Sequence, residues 1–236
     1  MSPASELWVV VPAAGAGRRV GGPVPKQYLP LAGRRVIDHS LAPLLAHALI
    51  RGAVVALDPE DALWGETGQA ADPRIRRVAG GVERCHSVLN ALDCLAETAA
   101  AEAWVLVHDA ARPCLHETDL ERLIENLIDD PVGGLLAVPV SDTVKQADGR
   151  GRVGQTLARE RLWRAFTPQM FRLGLLREAL GAALAAGELV TDDAGAIERL
   201  GHRPRLVEGR SDNIKITRPE DLPLAEFYLQ QQGRAC

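Results

Sequence analysis

Directly after the apolar run LWVVV (7 to 11) the chain reads PAAGAGRRVGGPVPKQY, where Pro12 leads into Ala13, Ala14, Gly15, Ala16 and Gly17, and Arg18, Arg19 and Lys26 carry positive charge. Small residues let backbone amides approach phosphate oxygens closely, and the cations neutralise them, so this is the composition of a triphosphate cradle. The local alternative is a tight strand-to-helix turn with solvated arginines. Other phosphate loops fail letter by letter. A dinucleotide fingerprint needs a third glycine where Val20 stands and a ribose-binding acid about 20 residues on, and a Walker loop needs Gly-Lys-Ser/Thr; neither is present, which sets aside a dinucleotide-dependent reductase.

Five further segments carry chemistry. GGVERCHSV (80 to 88) puts Gly80 and Gly81 before a helix with Arg84 and Ser87 on one face of its first turns, either leaving room for a base or a phosphate that Ser87 would hydrogen-bond, or forming a glycine turn with an ordinary helix start. HDAARP (108 to 113) closes an apolar strand, where an acid beside an arginine belongs in a ligand crevice. His108 and Asp109 point to opposite faces and are no catalytic dyad; Asp109 is a candidate for Mg²⁺ or a substrate hydroxyl, and Arg112 suits a phosphate. Thr167-Pro168-Gln169, Thr191-Asp192-Asp193 and NIKIT (213 to 217) are polar segments beside apolar ones. Thr191 is a candidate cap for the helix that follows, and Lys215, read as lying in a strand, wants an anion or an edge position.

The elements that must position these groups follow from hydrophobic patterning. Unbroken apolar runs at 7 to 11, 53 to 57, 104 to 108 and 134 to 138 predict strands covered on both faces, hence a largely parallel sheet. Helices are predicted at about 35 to 48, 83 to 98, 118 to 128, 172 to 186 and 219 to 231, an alternation that defines an α/β doubly wound fold with ligands outside the carboxyl ends of the strands. The segment from Pro139 to Arg159 is polar and centred on Asp148-Gly149, which predicts a hairpin arm projecting from the sheet. An isolated hairpin is marginal, so a second subunit is a natural dock.

The 236 residues comprise 27 basic and 31 acidic side chains, a net charge of −4, so no general attraction to nucleic acid or an anionic membrane is expected. With 47% hydrophobic but only 4% aromatic residues, Ala, Leu and Val must fill the core. Cys85, Cys94, Cys114 and Cys236 form no C-x-x-C and no zinc spacing, so free thiols are expected. The apolar stretch from Leu7 to Ala14 is too short and lacks the basic flank of a secretory signal, and no run of about 20 apolar residues exists to span a bilayer; the expectation is a cytoplasmic, single-domain protein.

The spacing of Gly15, Gly17, Arg19 and Lys26 resembles the signature loop of sugar-nucleotide pyrophosphorylases and related nucleotidyltransferases. PAAGAGRR, PKQY, GGVERCHSV, HDAARP, SDTVK, TPQ, TDDA and NIKIT-RPEDL together occur in the order and spacing of 2-C-methyl-D-erythritol 4-phosphate cytidylyltransferases, and the resemblance covers nearly the whole chain. It implies a Rossmann-like nucleotidyltransferase fold with a mostly parallel sheet flanked by helices. It also implies a homodimer joined through a β-arm at about 139 to 160, and transfer of CMP from CTP, with Mg²⁺, to 2-C-methyl-D-erythritol 4-phosphate (MEP). By the same resemblance Arg19 and Lys26 stabilise charge on the triphosphate, while Pro12, Ala13, Ala14, Gly15 and Gly17 lie along the nucleotide. Gly81, Arg84 and Ser87 would hold cytidine. Asp109, Arg112, Thr191 and Lys215 would line the MEP site, joined by Thr143, Arg159 and Thr167 from the partner's arm region, with Arg159 and Lys215 counted as catalytic. Ala158 and Asp193 depart from the family pattern, where acid and Glu are usual. A ribitol-phosphate cytidylyltransferase would share most of the nucleotide motifs, and a nucleotide-binding module would lack turnover.

No Ser-His-Asp or Cys-His arrangement accompanies these motifs, which fits the implied reaction. A phosphate monoester, with second pKa about 6, is already an anion at neutral pH and needs no general base. The reaction instead needs two mutually repelling polyanions aligned in a positive field.

Overall fold

A computed structural model describes residues 6–15 and 24–234; Ala16, Gly17, Arg18, Arg19, Val20 and Cys236 lie outside the described residues. The elements in chain order are β1 (Leu7–Pro12), β2 (Pro30–Leu31), β3 (Arg34–Arg35), α1 (Val36–Ala46), β4 (Ile50–Leu57), β5 (Ile75–Ala79), α2 (Arg84–Ala96), β6 (Trp104–Val107), α3 (Glu117–Leu127), β7 (Gly133–Pro139), β8 (Val144–Ala147), β9 (Val153–Leu157), β10 (Trp163–Arg172), α4 (Leu173–Ala185), α5 (Asp193–Arg199), β11 (Arg205–Glu208) and α6 (Asp221–Gln231).

The unbroken apolar strands are explained by what lies on each side of them. Along β1, Val9 and Val11 enter a core shared with Leu41 and Leu44 of α1 and Leu123 of α3. Val10 enters another, shared with Val88 and Leu92 of α2 and Leu176 of α4. Trp104 and Leu106 of β6 likewise alternate with Val105 and Val107 between the two cores. With both faces covered, the β1 and β6 residues named here have no solvent side to present, and burying each Val or Leu contributes roughly 2 kcal/mol. A third, smaller core packs Ala225 and Leu229 of α6 against Val36, Cys114 and Ile216, tethering the chain end beneath the loop that follows β6.

The seven-stranded sheet runs β11-β7-β10-β6-β1-β4-β5. All neighbours are parallel except β10, which is antiparallel to both β6 and β7. β10 is not among the strands predicted from the apolar runs, and its Pro168 is disfavoured in a central strand. The fold accommodates it in a register break: Ala165 pairs with Ala137 and Gln169 with Leu135, so Phe166, Thr167 and Pro168 bulge out of that ladder. The Thr167–Pro168 peptide bond is cis.

Two local expectations are corrected. NIKIT is not a strand but an extended loop, pinned where Ile216 N–H donates to Ala111 O at 2.8 Å. Thr191 does not cap α5. Asp192 does, its Oδ1 accepting the Gly195 N–H at 3.0 Å, because the carboxylate reaches the first-turn amides from the residue immediately preceding the helix.

The hairpin arm forms as expected from β8 and β9, with Gly151 at φ +74° and Asp148 Oδ1 accepting the N–H groups of Arg150 and Arg152 at 2.8 and 2.9 Å. Its residues are mostly exposed, including Val153 at 65%.

Candidate active site

Loops at the carboxyl ends of β1, β4, β5 and β6 meet at one edge of the sheet. Ala13 N–H donates to Ala56 O at 2.8 Å and Gly80 N–H to Leu57 O at 2.6 Å, which draws the first loop and the glycine loop together. A Cβ on Gly80 would lie 2.3 Å from the Ala14 Cβ, so only glycine permits the approach. Ser87 Oγ accepts the Gly81 N–H at 3.0 Å, and the serine holds the turn itself. Gln27, buried in the short 3₁₀ turn Lys26–Tyr28, donates to Ala13 O at 2.7 Å. Gln27 carries no signal of its own in the sequence, because a glutamine between Lys26 and Tyr28 belongs to no periodic pattern.

These loops enclose a cavity of about 210 Å³ lined by Pro12, Ala13, Ala14, Gly15, Lys26, Gly81, Arg84, Ser87, Asp109 and Lys215. Beside it lies a second cavity of about 190 Å³, lined by Arg84, Asp109, Arg112, Phe166, Thr167, Thr191 and Lys215 among others. Arg84, Asp109 and Lys215 line both and form the wall between them.

The wall is an ion network. Asp109 Oδ1 accepts from Arg84 Nε at 3.0 Å, and Asp109 Oδ2 lies 2.8 Å from Lys215 Nζ and 3.5 Å from Arg112 Nε. Burial would raise the Asp109 carboxyl, but Arg84, Lys215 and Arg112 together hold it well below the usual carboxylate range. Arg84 also grips Asp193 with both Nη atoms, at 3.1 and 2.8 Å, and Asp193 is fully buried at the start of α5. Burial works against the Arg84 charge, but Asp193 and Asp109 more than offset it and keep the guanidinium charged. Arg84, which the family resemblance assigns to the cytidine, lines the first cavity, and its guanidinium reaches the second as well.

A second set of bonds holds the network from behind. Arg112 Nη1 donates to Asn213 O at 2.7 Å, and Asn213 Nδ2 donates to Thr167 O at 2.8 Å. The Arg112 guanidinium stacks over Phe166 with 4.8 Å to the ring centroid. Thr167 Oγ1 accepts the Asp109 N–H at 3.1 Å. Thr167 therefore belongs to the site of its own chain and not to a partner's arm, since the β10 bulge carries it there. Asn213, Phe166 and Gln169, which bonds Asp192 and the Ala194 N–H, were missed as site residues because their partners are distant in sequence.

Lys26 Nζ donates to Ile216 O at 3.0 Å, linking the first loop to the NIKIT segment. Thr143 and Arg159 do not line either cavity; both are exposed on the arm, where Arg159 bonds Ser141 O. Gly17 and Arg19 lie outside the described residues. Asp109 does not fit the metal-ligand reading, because both of its oxygens are already engaged by cations. Among the described residues no group of His, Cys, Asp and Glu side chains is placed to hold a metal.

A mostly parallel sheet, small residues after β1 and two cavities divided by the wall of Arg84, Asp109 and Lys215 define a nucleotidyltransferase of Rossmann-like fold. The family model described as 2-C-methyl-D-erythritol 4-phosphate cytidylyltransferase matches residues 7–231, and the chain belongs to that family. It is 57% identical over 219 residues to the 2-C-methyl-D-erythritol 4-phosphate cytidylyltransferase of Ectopseudomonas mendocina (strain ymp), covering 92% of this chain and 93% of that protein. It is 57% identical over 217 residues, 92% of each chain, to that of Pseudomonas putida (strain GB-1). The crystal structure of the Francisella tularensis 2-C-methyl-D-erythritol 4-phosphate cytidylyltransferase superposes with TM-score 0.82 at 36% identity, covering 95% of this chain and 100% of the other. No helix among the described residues is long and apolar enough to cross a membrane.

Proposed function

We propose that the first cavity takes CTP, the second takes MEP, and the phosphate of MEP attacks the α-phosphorus of CTP across the wall formed by Arg84, Asp109 and Lys215. The single observation that carries this reading is that shared wall, across which two anionic ligands would lie edge to edge beside a surplus of cations. A bond forms from an MEP phosphate oxygen to the α-phosphorus while the bridge from the α-phosphorus to the β-phosphate oxygen breaks. The electron pair leaves with pyrophosphate, giving 4-diphosphocytidyl-2-C-methyl-D-erythritol. Because the nucleophile is already anionic, no proton need be removed, and one direct displacement inverts the configuration at phosphorus.

Lys26, with Arg19 from the same loop, would neutralise charge as pyrophosphate departs, and Lys215 and Arg112 would hold the incoming phosphate. Mg²⁺ would enter as part of the metal–nucleotide substrate, as expected of a hard ion bound largely through phosphate oxygens and water. Thr143 and Arg159 sit on an arm whose exposed residues, Val153 included, favour docking on a second copy, so each arm would complete the other subunit's phosphate site. The free thiols of Cys85, Cys94 and Cys114 favour a cytoplasmic setting.

The test is pyrophosphate release with CTP, ATP or GTP against MEP or ribitol 5-phosphate. Turnover that requires CTP and MEP is expected. Equal kcat/KM with ribitol 5-phosphate would remove the substrate assignment, and equal kcat/KM with ATP would remove the base assignment.

A further inference from the structure

His108 is fully buried directly behind the wall, and both of its ring nitrogens have partners. Nε2 lies 3.1 Å from the Arg112 carbonyl oxygen, and Nδ1 lies 3.0 Å from Thr167 Oγ1. A carbonyl oxygen only accepts, so Nε2 carries the ring proton. Burial pushes the imidazole down to about 4, which leaves it neutral at physiological pH with Nδ1 a bare acceptor. The Thr167 hydroxyl must then donate its proton to Nδ1.

That assignment limits what Thr167 offers the second cavity, which it lines. A hydroxyl has one hydrogen and two lone pairs. The hydrogen is committed to His108, and one lone pair accepts the Asp109 N–H. One lone pair remains. It repels a phosphate oxygen and welcomes a donor.

We propose that His108 is a positioning residue that sets the polarity of Thr167, so that Thr167 reads a hydroxyl group of the sugar-alcohol phosphate and not its phosphate oxygens. The inference rests on the assignment of the second cavity to MEP. It gives that cavity a polar division: cations from Lys215 and Arg112 for the phosphate, and an acceptor from Thr167 for the polyol. A substrate hydroxyl buried there without an acceptor, or the acceptor left without a hydroxyl, loses the hydrogen bond and keeps the desolvation cost.

The experiment compares MEP with each of its single-deoxy analogues in the wild-type enzyme and in His108→Gln, His108→Asn and Thr167→Val, following pyrophosphate release. Wild type should favour MEP over one deoxy analogue by about tenfold or more in kcat/KM, the loss expected when a buried acceptor is left unpaired. Thr167→Val, nearly isosteric but without the hydroxyl, should lose that preference through KM for MEP while KM for CTP holds. Gln places an amide near Nε2 and nothing at Nδ1, so His108→Gln should lose the preference too. Asn places its carbonyl oxygen near Nδ1, so His108→Asn should retain more of it than His108→Gln. A merely structural role for His108 would lower activity on MEP and its analogues alike and leave their ratio unmoved.

Thr167→Val keeping the wild-type preference against every deoxy analogue would overturn the proposal. So would an unchanged preference in His108→Gln, or an Asn variant no better than the Gln variant. If the His108 variants do not fold, the Thr167→Val ratio decides alone. Wild type failing to release pyrophosphate from CTP and MEP would instead remove the underlying assignment, a separate result.

Discussion

Lys215 Nζ stands 2.8 Å from Asp109 Oδ2, so a lysine from the NIKIT loop and a carboxylate from the end of β6 close the wall between the two cavities. The pair joins segments more than a hundred positions apart in sequence, and it places a cation on the boundary that both cavities share.

Lys215→Ala removes that cation, as Lys26→Ala removes the one in the first loop. Each is expected to lower kcat by about 10² or more, the effect of deleting one preorganised charge-stabilising donor. Steady-state pyrophosphate release measures it, and near-wild-type kcat in either variant ends the role for that lysine.

Arg84→Ala leaves the fully buried Asp193 facing no cation. Breaking a buried pair from one side costs about 3 to 5 kcal/mol, whereas replacing both partners by apolar groups can be nearly neutral. Urea denaturation should therefore show a large loss for Arg84→Ala and a recovery in Arg84→Met/Asp193→Leu, with kcat/KM depressed in both because Asp109 has lost its Arg84 bond. Equal stability of Arg84→Ala and wild type would refute the ion-pair account.

Stability should fall as the solution is acidified, and the sign follows from His108. Its value is near 6.5 unfolded and about 4 folded, so between those values the unfolded chain binds more protons. The contribution is fully present above about pH 6.5 and is lost as pH falls through about 4, amounting to roughly 3 kcal/mol over the window. Below it, Asp109, held lower than an ordinary carboxylate, adds a loss of its own. Denaturation midpoints measured from pH 7 to pH 4 test this, and in a folded His108→Asn the decline over that range should be shallower.

If the arm serves a partner's site, Arg159→Ala and Lys215→Ala, each nearly inactive, should regain activity when mixed. Exchange at equal mixing would leave about a quarter of all sites with both residues intact. Subunit exchange proven by mass labelling, with no return of activity, would show that Arg159 acts within its own chain.

Much of this protein is decided locally. The unbroken apolar runs of β1, β4, β6 and β7 announce a sheet covered on both faces, and the five predicted helices lie within a few residues of α1, α2, α3, α4 and α6. Loop composition marks Ala13, Ala14, Gly15 and Gly81, which line the first cavity, because close backbone approach requires small side chains wherever the loop ends up. What local pattern could not decide is pairing. Asp109 is legible as an acid at a strand end, but its engagement by Arg84, Arg112 and Lys215, which makes it unfit as a metal ligand, arises only when distant segments meet. Thr167 is legible as polar, but the β10 bulge that seats it beside Asp109 contradicts the preference of Pro168 and exists only because β6 and β7 flank it. The reason is physical: periodicity and residue size act over a few bonds, whereas ion pairs, buried hydrogen bonds and their protons are allotted only once the chain has closed around them.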